Sequence, residues 1–459
     1  MPMQLSINPA SGDELARLED HDPAFVEAAL THAVAAQKAW RQVAIEDRVE
    51  LLRRIARVLR ADLSRHAELI SLEVGKPIAE AEGEVEKCAM NCDFYAEHAA
   101  AYLADETIAS SASESLLSYE PLGVVLAIMP WNYPLWQFFR FAAPALAAGN
   151  GTILKHANNV PQCAMLIQDI LDKAECPDGL AKVLLLQPGE VAALIADDRI
   201  AAVTLTGSTH VGTIVASQAG KALKKQVLEL GGSDPFIVLA DADIATAAAM
   251  AVKARYTNVG QSCVNAKRFI VDDSVADAFV AAFKHNVEAL VIGDPKDRAT
   301  QIGPMARANL RDELDRQVKD TLGQGATLVT GGAPLDRPGF YYAPTIIDHV
   351  TEEMTAAREE TFGPVAAIIR VKDENEAVRI ANDTEFGLGA SIWTADAAKA
   401  RTLAKRVDAG AVFINGIVAS DPRLPFGGIK RSGYGRELGI IGMREFTNIK
   451  TVWIGPAQG

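Results

Sequence analysis

One cysteine of this chain lies in a setting unlike a hydrophobic core. Cys263 belongs to NVGQSCVNAK (residues 258–267), among glycine and small polar residues. A thiol presented in this way can be a covalent nucleophile if a neighbour lowers its pKa or removes its proton, and if a donor stabilises the oxyanion that its attack creates. The alternative for a lone cysteine is an inert buried thiol.

Two other segments could supply the missing groups. PWNYP (130–134) offers Asn132, whose side-chain amide can donate to an oxyanion, and LELGG (228–232) offers the Glu229 carboxylate as a base. Each also has a structural explanation, because asparagine beside proline is a common turn former and two glycines can mark a simple turn. The segments are therefore informative only in combination.

A glycine pattern in TLTGSTHVG (204–212) adds a possible cofactor site. Gly207 and Gly212 fall at a predicted strand end and one helical turn later, where backbone N–H groups could meet a pyrophosphate. Dinucleotide-binding units carry a ribose-binding acid about 20 residues further on, and Glu229 stands at that distance. Base and ribose ligand are thus competing roles for Glu229.

Composition limits the class of protein. A chain of 459 residues predicts two large domains, and a net charge of −14 without a basic block argues against nucleic-acid or membrane-surface binding. Five cysteines without a CxxC pair or histidine-rich spacing suggest neither disulfides nor a metal site. The N-terminus shows no signal peptide and the longest apolar run, 122–131, is too short to span a bilayer. We therefore expect a soluble cytoplasmic protein.

Periodicity predicts an α/β fold. Apolar residues at helical spacing predict helices over 23–40, 46–73 and 77–103. Short apolar strands then alternate with helices, at 124–129, 152–155, 183–187, 202–206 and 226–230, which indicates βαβ units and a parallel sheet. A second alternation, with strands at 235–239 and 268–271 around a helix at 242–253, continues to about residue 414. A last strand, 450–454, predicts a partner elsewhere, and an intersubunit sheet is one possibility.

Together these segments resemble the aldehyde dehydrogenase superfamily, from about residue 5 to residue 454. The resemblance rests on ordered motifs: MPWNYP (129–134), LKHAN (154–158), LTGS (205–208), LELGGSDP (228–235), GQSC (260–263), EETFGP (359–364) and PFGGIK (425–430). Within the superfamily, residues 155–163, GGSDPFIV (231–238) and ASDPRLPFGG (419–428) are similar to bacterial succinate semialdehyde dehydrogenases.

The resemblance implies a domain arrangement. It predicts a Rossmann-type NAD(P)-binding domain from residues 1–103 and 122–231, a second α/β catalytic domain from 232–434, and small oligomerisation strands from 104–121 and 435–459. The expected assembly is a homodimer or a dimer of dimers.

The resemblance also implies a mechanism. Cys263 attacks the aldehyde carbon, the oxyanion is held by Asn132 and the Cys263 backbone N–H, and hydride passes to a nicotinamide. Glu229 then activates the water that hydrolyses the thioester, which favours the base over the ribose ligand.

For the cofactor, the resemblance carries over a larger set of residues. The adenosine and phosphate side is assigned to Trp131, Lys155, Gly207, Ser208 and Gly212, and the nicotinamide side to Glu360 and Phe362. Without the motifs, Lys155 would be a surface salt-bridge residue, Glu360 solvated and Phe362 a core residue. Asn158 stands where many relatives carry a glutamate that binds the adenosine ribose, so a 2′-phosphate meets no repulsion and NADP is admitted beside NAD.

Substrate identity depends on Arg140, which similar semialdehyde dehydrogenases use to bind the distal carboxylate. We expect it to be a lone cation in a mostly apolar tunnel, assisted by Ser420; its alternative is a salt bridge on the helix surface or between domains. Thr257 occupies a position where some relatives have a second arginine. The predicted partner is a small carboxylate-bearing aldehyde, with succinate semialdehyde first.

Other functions remain open on this fold. They are an inactive structural or binding protein, a CoA-acylating enzyme, and a dehydrogenase for glutarate semialdehyde or a broader set of aldehydes. Cys263, Glu229 and Asn132 together disfavour the first, and Glu229 favours hydrolysis of the thioester over transfer to CoA.

Overall fold

A computed structural model describes residues 2–455. The first hundred residues form a hairpin and four helices: β1 (Met3–Ile7), β2 (Glu14–Glu19), α1 (Pro23–Trp40), α2 (Ile45–Ala61), α3 (Leu63–Val74) and α4 (Ile78–Tyr102). The helix predicted over 46–73 is two helices, because Asp62 leaves the helical conformation at φ −114° and its carboxylate binds Lys173 at 3.1 Å. Aspartate favours such boundary positions over helix interiors.

The next segment contains the predicted alternation of strands and helices. Its elements are β3 (Glu106–Thr107), β4 (Glu114–Pro121), β5 (Val124–Met129), α5 (Trp136–Ala147), β6 (Gly151–His156), α6 (Pro161–Lys173), β7 (Ala181–Leu184), α7 (Val191–Ala196), β8 (Ile200–Thr206), α8 (Thr209–Lys221) and β9 (Lys225–Glu229). The strand expected at 183–187 begins and ends earlier than predicted, as β7.

The third segment repeats the alternation and ends in a strand. Its elements are β10 (Asp234–Val238), α9 (Ile244–Tyr256), β11 (Ala266–Asp272), α10 (Asp273–Glu288), α11 (Ala308–Gly323), β12 (Thr327–Thr330), β13 (Thr345–Asp348), α12 (Thr355–Arg358), β14 (Val365–Val371), α13 (Glu374–Asn382), β15 (Gly389–Trp393), α14 (Ala397–Ala404), β16 (Ala411–Ile414), β17 (Gly433–Tyr434), α15 (Gly439–Arg444) and β18 (Thr447–Ile454).

The first large sheet has the strand order β17-β9-β8-β5-β6-β7, and its strands are parallel except for β17. Because carboxyl ends of parallel strands meet at one edge, Asn132, Lys155, Gly207 and Glu229 come together at or just beyond the ends of β5, β6, β8 and β9. The α/β fold class is therefore confirmed, with this sheet carrying most of the expected site.

The second large sheet has the order β12-β13-β14-β11-β10-β15-β16, with only the β12–β13 pair antiparallel. Its core is separate from the two apolar clusters around the first sheet. One pair crosses the predicted boundary at residue 231, because Gly433 of β17 lies opposite Glu229 of β9. The chain that follows the second sheet thus returns to the first sheet, where β17 forms the edge strand beside β9.

A three-stranded sheet, β18-β4-β3, stands apart from both. The partner of the C-terminal strand is β4, in register from Thr447 opposite Pro121 to Ile454 opposite Glu114. The other edge of β18 is open, and Ile449 and Trp453 expose more than half of their surface. Association through this edge stays a prediction. Among residues 2–455, no helix has the length and apolar character needed to cross a membrane.

Candidate active site

The nucleophile loop begins with backbone strain. After α9, Asn258, Val259 and Gly260 all have positive φ, at 53°, 56° and 73°. A β-branched residue in this region is costly, so other contacts must hold it. The Asn258 backbone N–H donates to Glu80 Oε2 at 2.7 Å, and its Nδ2 donates to the Asn132 carbonyl at 2.9 Å. The first bond ties the Cys263 loop to α4, and the second ties it to the Asn132 loop.

Gly260 has a requirement of its own. A Cβ there would lie 2.3 Å from the carbonyl oxygen of Gly363, so a side chain would push the loop away from the segment that carries Glu360 and Phe362. Buried Arg255 holds the same two segments together by donating to the carbonyls of Thr361 (2.9 Å) and Gly260 (3.5 Å).

Helix α4 positions the other half of the site. Glu84 Oε1 accepts the backbone N–H groups of Leu135 (2.9 Å) and Trp136 (3.1 Å), at the start of α5. The other Glu84 oxygen pairs with Lys76, and both side chains are fully buried. A carboxylate at a helix N-terminus is favourable, and here it fixes the helix that carries Arg140.

Cys263 lies where two cavities meet. A cavity of about 310 Å³ is lined by Cys263 together with Trp136, Arg140, Ser420 and Phe426. On the other side, a cavity of about 220 Å³ places the same thiol beside Asn132, Thr206, Glu360, Phe362 and Arg307. Two separate groups can therefore reach the sulfur, each through its own cavity.

The electrostatics of Cys263 differ from those of an activated thiolate. Burial raises the pKa of the Cys263 thiol to about 12; the charges of Arg140 and Lys267 lower that pKa, and those of Glu229 and Glu360 raise it. The thiol is therefore neutral near pH 7 in the ligand-free protein. Asn132 Nδ2 donates to the Gln261 carbonyl at 2.9 Å, which leaves its second N–H for an oxyanion.

Glu229 lies behind the cavity wall. It is buried, it lines neither of the cavities at Cys263, and within residues 2–455 neither carboxylate oxygen has a hydrogen-bond partner. Burial raises the pKa of Glu229 well above its ordinary value, and the charge of Glu437 raises it further, while Arg140 opposes both. In this position burial favours the neutral acid of Glu229 over the carboxylate.

Arg140 is not the lone cation that we expected. Its guanidinium pairs with Glu437, hydrogen-bonds Thr206 Oγ1 at 3.4 Å and lies 4.9 Å above the Phe426 ring. The prediction was wrong because a buried guanidinium requires a counter-charge. Arg140 Nε has no hydrogen-bond partner within the described chain, and Lys87 and Lys253 line the same cavity.

A third cavity, of about 660 Å³, fits a phosphate-bearing cofactor. It is lined by Trp131, Lys155, Asn158, Gly207, Ser208 and Arg307, with no Asp or Glu among its lining residues. Ser208 caps α8 by accepting the Val211 N–H at 3.4 Å, so a helix N-terminus faces the cavity. Two cations and a helix terminus form a site for an anion.

Of the residues predicted to bind the cofactor, Lys155 and Asn158 line the 660 Å³ cavity, whereas Gly212 does not. Lys155 Nζ donates to Asn158 Oδ1 at 2.5 Å, and burial lowers the pKa of Lys155 to about 8. A Cβ atom at the position of Gly212 would lie 2.4 Å from Leu230, so a residue without a side chain lets α8 pack against Leu230.

Glu360 and Phe362, the residues predicted to bind the nicotinamide, both line the 220 Å³ cavity. Glu360 Oε1 accepts the Gly232 N–H at 3.0 Å, and the Phe362 ring contacts Trp131 edge to face at 5.8 Å between centroids.

Comparisons with known proteins agree with this geometry. The model of the aldehyde dehydrogenase family matches residues 3–452. The chain belongs to the aldehyde dehydrogenase family. Succinate semialdehyde dehydrogenase [NAD(P)+] Sad of Escherichia coli is 51% identical over 98% of this chain and 97% of that protein. A probable succinate-semialdehyde dehydrogenase [NADP(+)] of Synechocystis is 49% identical over 98% and 99%.

A solved structure supports the same fold. The succinic semialdehyde dehydrogenase of Streptococcus pyogenes, in complex with NADP+, superposes with a TM-score of 0.97 at 36% identity, over 99% of this chain and all of that one. The family resemblance and the aldehyde dehydrogenase fold predicted from the motifs are thereby confirmed.

Several residues that organise this aldehyde dehydrogenase had no motif to mark them. Glu80, Glu84 and Lys87 all line the cavity at Cys263, and Glu437 balances Arg140. Spacings of four and three residues place the first three on one face of α4. The sequence signal that could have marked these three residues is a row of charged side chains along one face of α4, a helix that otherwise packs into the core.

The neutral Cys263 thiol predicts slow alkylation of the ligand-free enzyme at neutral pH. Because the thiolate is the reactive form, modification of the Cys263 peptide by iodoacetamide should rise roughly tenfold per unit between about pH 7 and pH 9. Peptide mass spectrometry measures this rate, with Cys176, whose pKa burial also raises to about 12, as internal control. A Cys263 rate that is already level over this interval would show a thiolate at neutral pH.

Proposed function

We propose that this aldehyde dehydrogenase oxidises succinate semialdehyde to succinate with NADP+ or NAD+. The observation that carries the proposal is the 310 Å³ cavity, which joins the Cys263 thiol to a polar wall containing Arg140 and Ser420. A short aldehyde with a carboxylate at its far end matches both ends of this cavity. Relatives about half identical to the chain over nearly its whole length bear the name of this activity.

The first chemical step belongs to Cys263 and its donors. The sulfur attacks the aldehyde carbon, and the carbonyl oxygen takes the negative charge. Asn132 Nδ2 and the Cys263 backbone N–H stabilise that oxyanion; removing one such donor typically lowers kcat by roughly 10²–10³. Because the free thiol is neutral, its proton must pass to solvent water as the carbon–sulfur bond forms.

Lys155, Ser208, Glu360 and Phe362 would hold a nicotinamide cofactor, which would accept the hydride. Loss of the hydride from the carbon bonded to Cys263 leaves a thioester on the sulfur, which water then hydrolyses. We propose that Glu229 turns from its buried position into the cavity, where contact with water lowers its pKa and lets it take a proton from the attacking water. The thiol is restored when the carboxylic acid leaves.

The carboxylate of the substrate is assigned to the polar wall. Arg140 has an unpaired Nε, and Ser420 contributes a hydroxyl, so both can donate to a carboxylate without disturbing the pair between Arg140 and Glu437.

The test compares two aldehydes of one chain length. Succinate semialdehyde should exceed uncharged butyraldehyde in kcat/KM, and Arg140→Met should lower the succinate semialdehyde value by roughly 30-fold or more, as loss of a desolvated charge contact does. Steady-state assays with each cofactor measure both ratios. Equal values for the two aldehydes in the unaltered enzyme would contradict the proposed substrate and favour a broader aldehyde dehydrogenase.

Cofactor preference gives a further prediction. Asn158→Glu places a carboxylate beside Lys155, where it should repel the 2′-phosphate and lower kcat/KM for NADP+ about tenfold relative to NAD+. Asn158→Gln is the neutral control and should keep the original ratio. If Asn158→Glu leaves the NADP+ kinetics unchanged, the 2′-phosphate binds elsewhere.

A further inference from the structure

Lys87 is a cation of the substrate cavity without a carboxylate partner. It projects from α4, its Nζ donates to Ser420 Oγ at 2.7 Å, and the ammonium lies 4.4 Å from the centre of a Trp136 ring. Within residues 2–455, no Asp or Glu oxygen comes within 4 Å of this ammonium. Lys87 lines the same cavity as Cys263.

The other cations nearby are already committed or exposed. Arg140 pairs with Glu437, and Lys76 pairs with Glu84. Lys253 lines the cavity but its side chain is exposed, at the rim. Lys87 is therefore the half-buried positive charge whose counter-ion the described chain does not provide.

Burial without a partner has a cost that a ligand can remove. Desolvation lowers the pKa of Lys87 to about 8; the charge of Arg140 acts in the same direction, while Glu84 and Asp421 oppose it. An anion bound in the cavity would offset this cost, because an opposite charge at close range stabilises the ammonium. The position beside Lys87 therefore favours a negative group, while Glu84, in the same cavity wall, is paired with Lys76.

The hydrogen bond between Lys87 and Ser420 also sets a direction. Because the ammonium can only donate, the Ser420 oxygen accepts from it, and the Ser420 O–H is left to donate elsewhere. Lys87 itself keeps two further N–H donors. The pair therefore presents donors from two side chains at one place, which suits the two oxygens of a carboxylate.

We propose that Lys87 joins Arg140 and Ser420 in binding the distal carboxylate of the substrate and so determines specificity for a carboxylate-bearing aldehyde. This proposal rests on the proposed function and deepens it. The apolar faces of Trp136, Ile417 and Phe426 line the cavity and would contact the methylene groups. Glu80 and Glu84, which hold the two catalytic loops, lie on the same face of α4, so one helix sets the distance between the carboxylate and Cys263.

The experiment measures kcat/KM for succinate semialdehyde and for butyraldehyde in four proteins: the unaltered enzyme, Lys87→Met, Lys87→Arg and Lys253→Met. Methionine preserves the contact with Trp136 and removes the charge, so Lys87→Met should lower the ratio of the two values roughly 30-fold or more, through KM for succinate semialdehyde. Butyraldehyde turnover should change little and reports that the variant is folded. Lys87→Arg should restore much of the ratio, and Lys253→Met, which removes a charge at the rim, should reduce it by much less.

The outcomes separate the two proposals. If the unaltered enzyme does not prefer succinate semialdehyde, the proposed function fails. If it does prefer succinate semialdehyde and Lys87→Met keeps that preference, the role of Lys87 is overturned while the function stands. If Lys87→Met and Lys87→Arg lower both substrates equally, Lys87 is a structural residue and the proposal is likewise overturned.

Discussion

Glu80 and Glu84 lie one helical turn apart on α4, and each accepts hydrogen bonds from the backbone that carries a different catalytic group. Glu80 binds the Asn258 N–H in the strained turn before Cys263, and Glu84 binds the first N–H groups of the segment after Asn132. The hydrogen bond from Asn258 to Glu80 helps to hold the turn in which Val259 has a positive φ, and burial raises the pKa of Glu80 to about 7. The relative position of Cys263 and Asn132 therefore depends on this helix, together with the direct bond from Asn258 Nδ2 to the Asn132 carbonyl.

The charges at the site are arranged so that the ligand-free enzyme is unreactive. Burial raises the pKa of both the Cys263 thiol and the Glu229 carboxyl and so favours their neutral forms, and Arg140 is balanced by Glu437. On this account the reaction begins only when substrate and cofactor occupy the two cavities. The substrate then supplies the carbonyl that becomes the oxyanion, and the cofactor supplies the hydride acceptor. A thiol that is neutral while no ligand is bound is also protected from oxidation, since the thiolate is the reactive form.

The sequence was most informative where chemistry depends on short motifs. Cys263, Asn132 and the glycines of residues 204–212 were singled out from local patterns, whereas Lys155 and Ser208 were named from the resemblance to the family. Strands β5, β8 and β9 were also predicted closely, since buried parallel strands are continuous apolar runs.

What sequence could not give was the pairing between distant segments. Glu437 follows Arg140 by almost 300 residues, and no local pattern indicates that the two would neutralise each other. The same holds for Lys87 and Ser420, and for β17 returning to pair with β9. Long-range contacts of this kind follow from tertiary packing. The prediction that Arg140 is a lone cation could therefore be corrected only from the fold.

The central claim is that Cys263 carries the acyl group and that Glu229 removes it. The most direct measurement is intact-protein and peptide mass spectrometry of Glu229→Gln after mixing with succinate semialdehyde and NADP+. The account predicts about one equivalent of NADPH formed rapidly, slow turnover afterwards, and the mass of a succinyl group on the peptide containing Cys263. Rapid steady turnover with no adduct on Cys263 would contradict it.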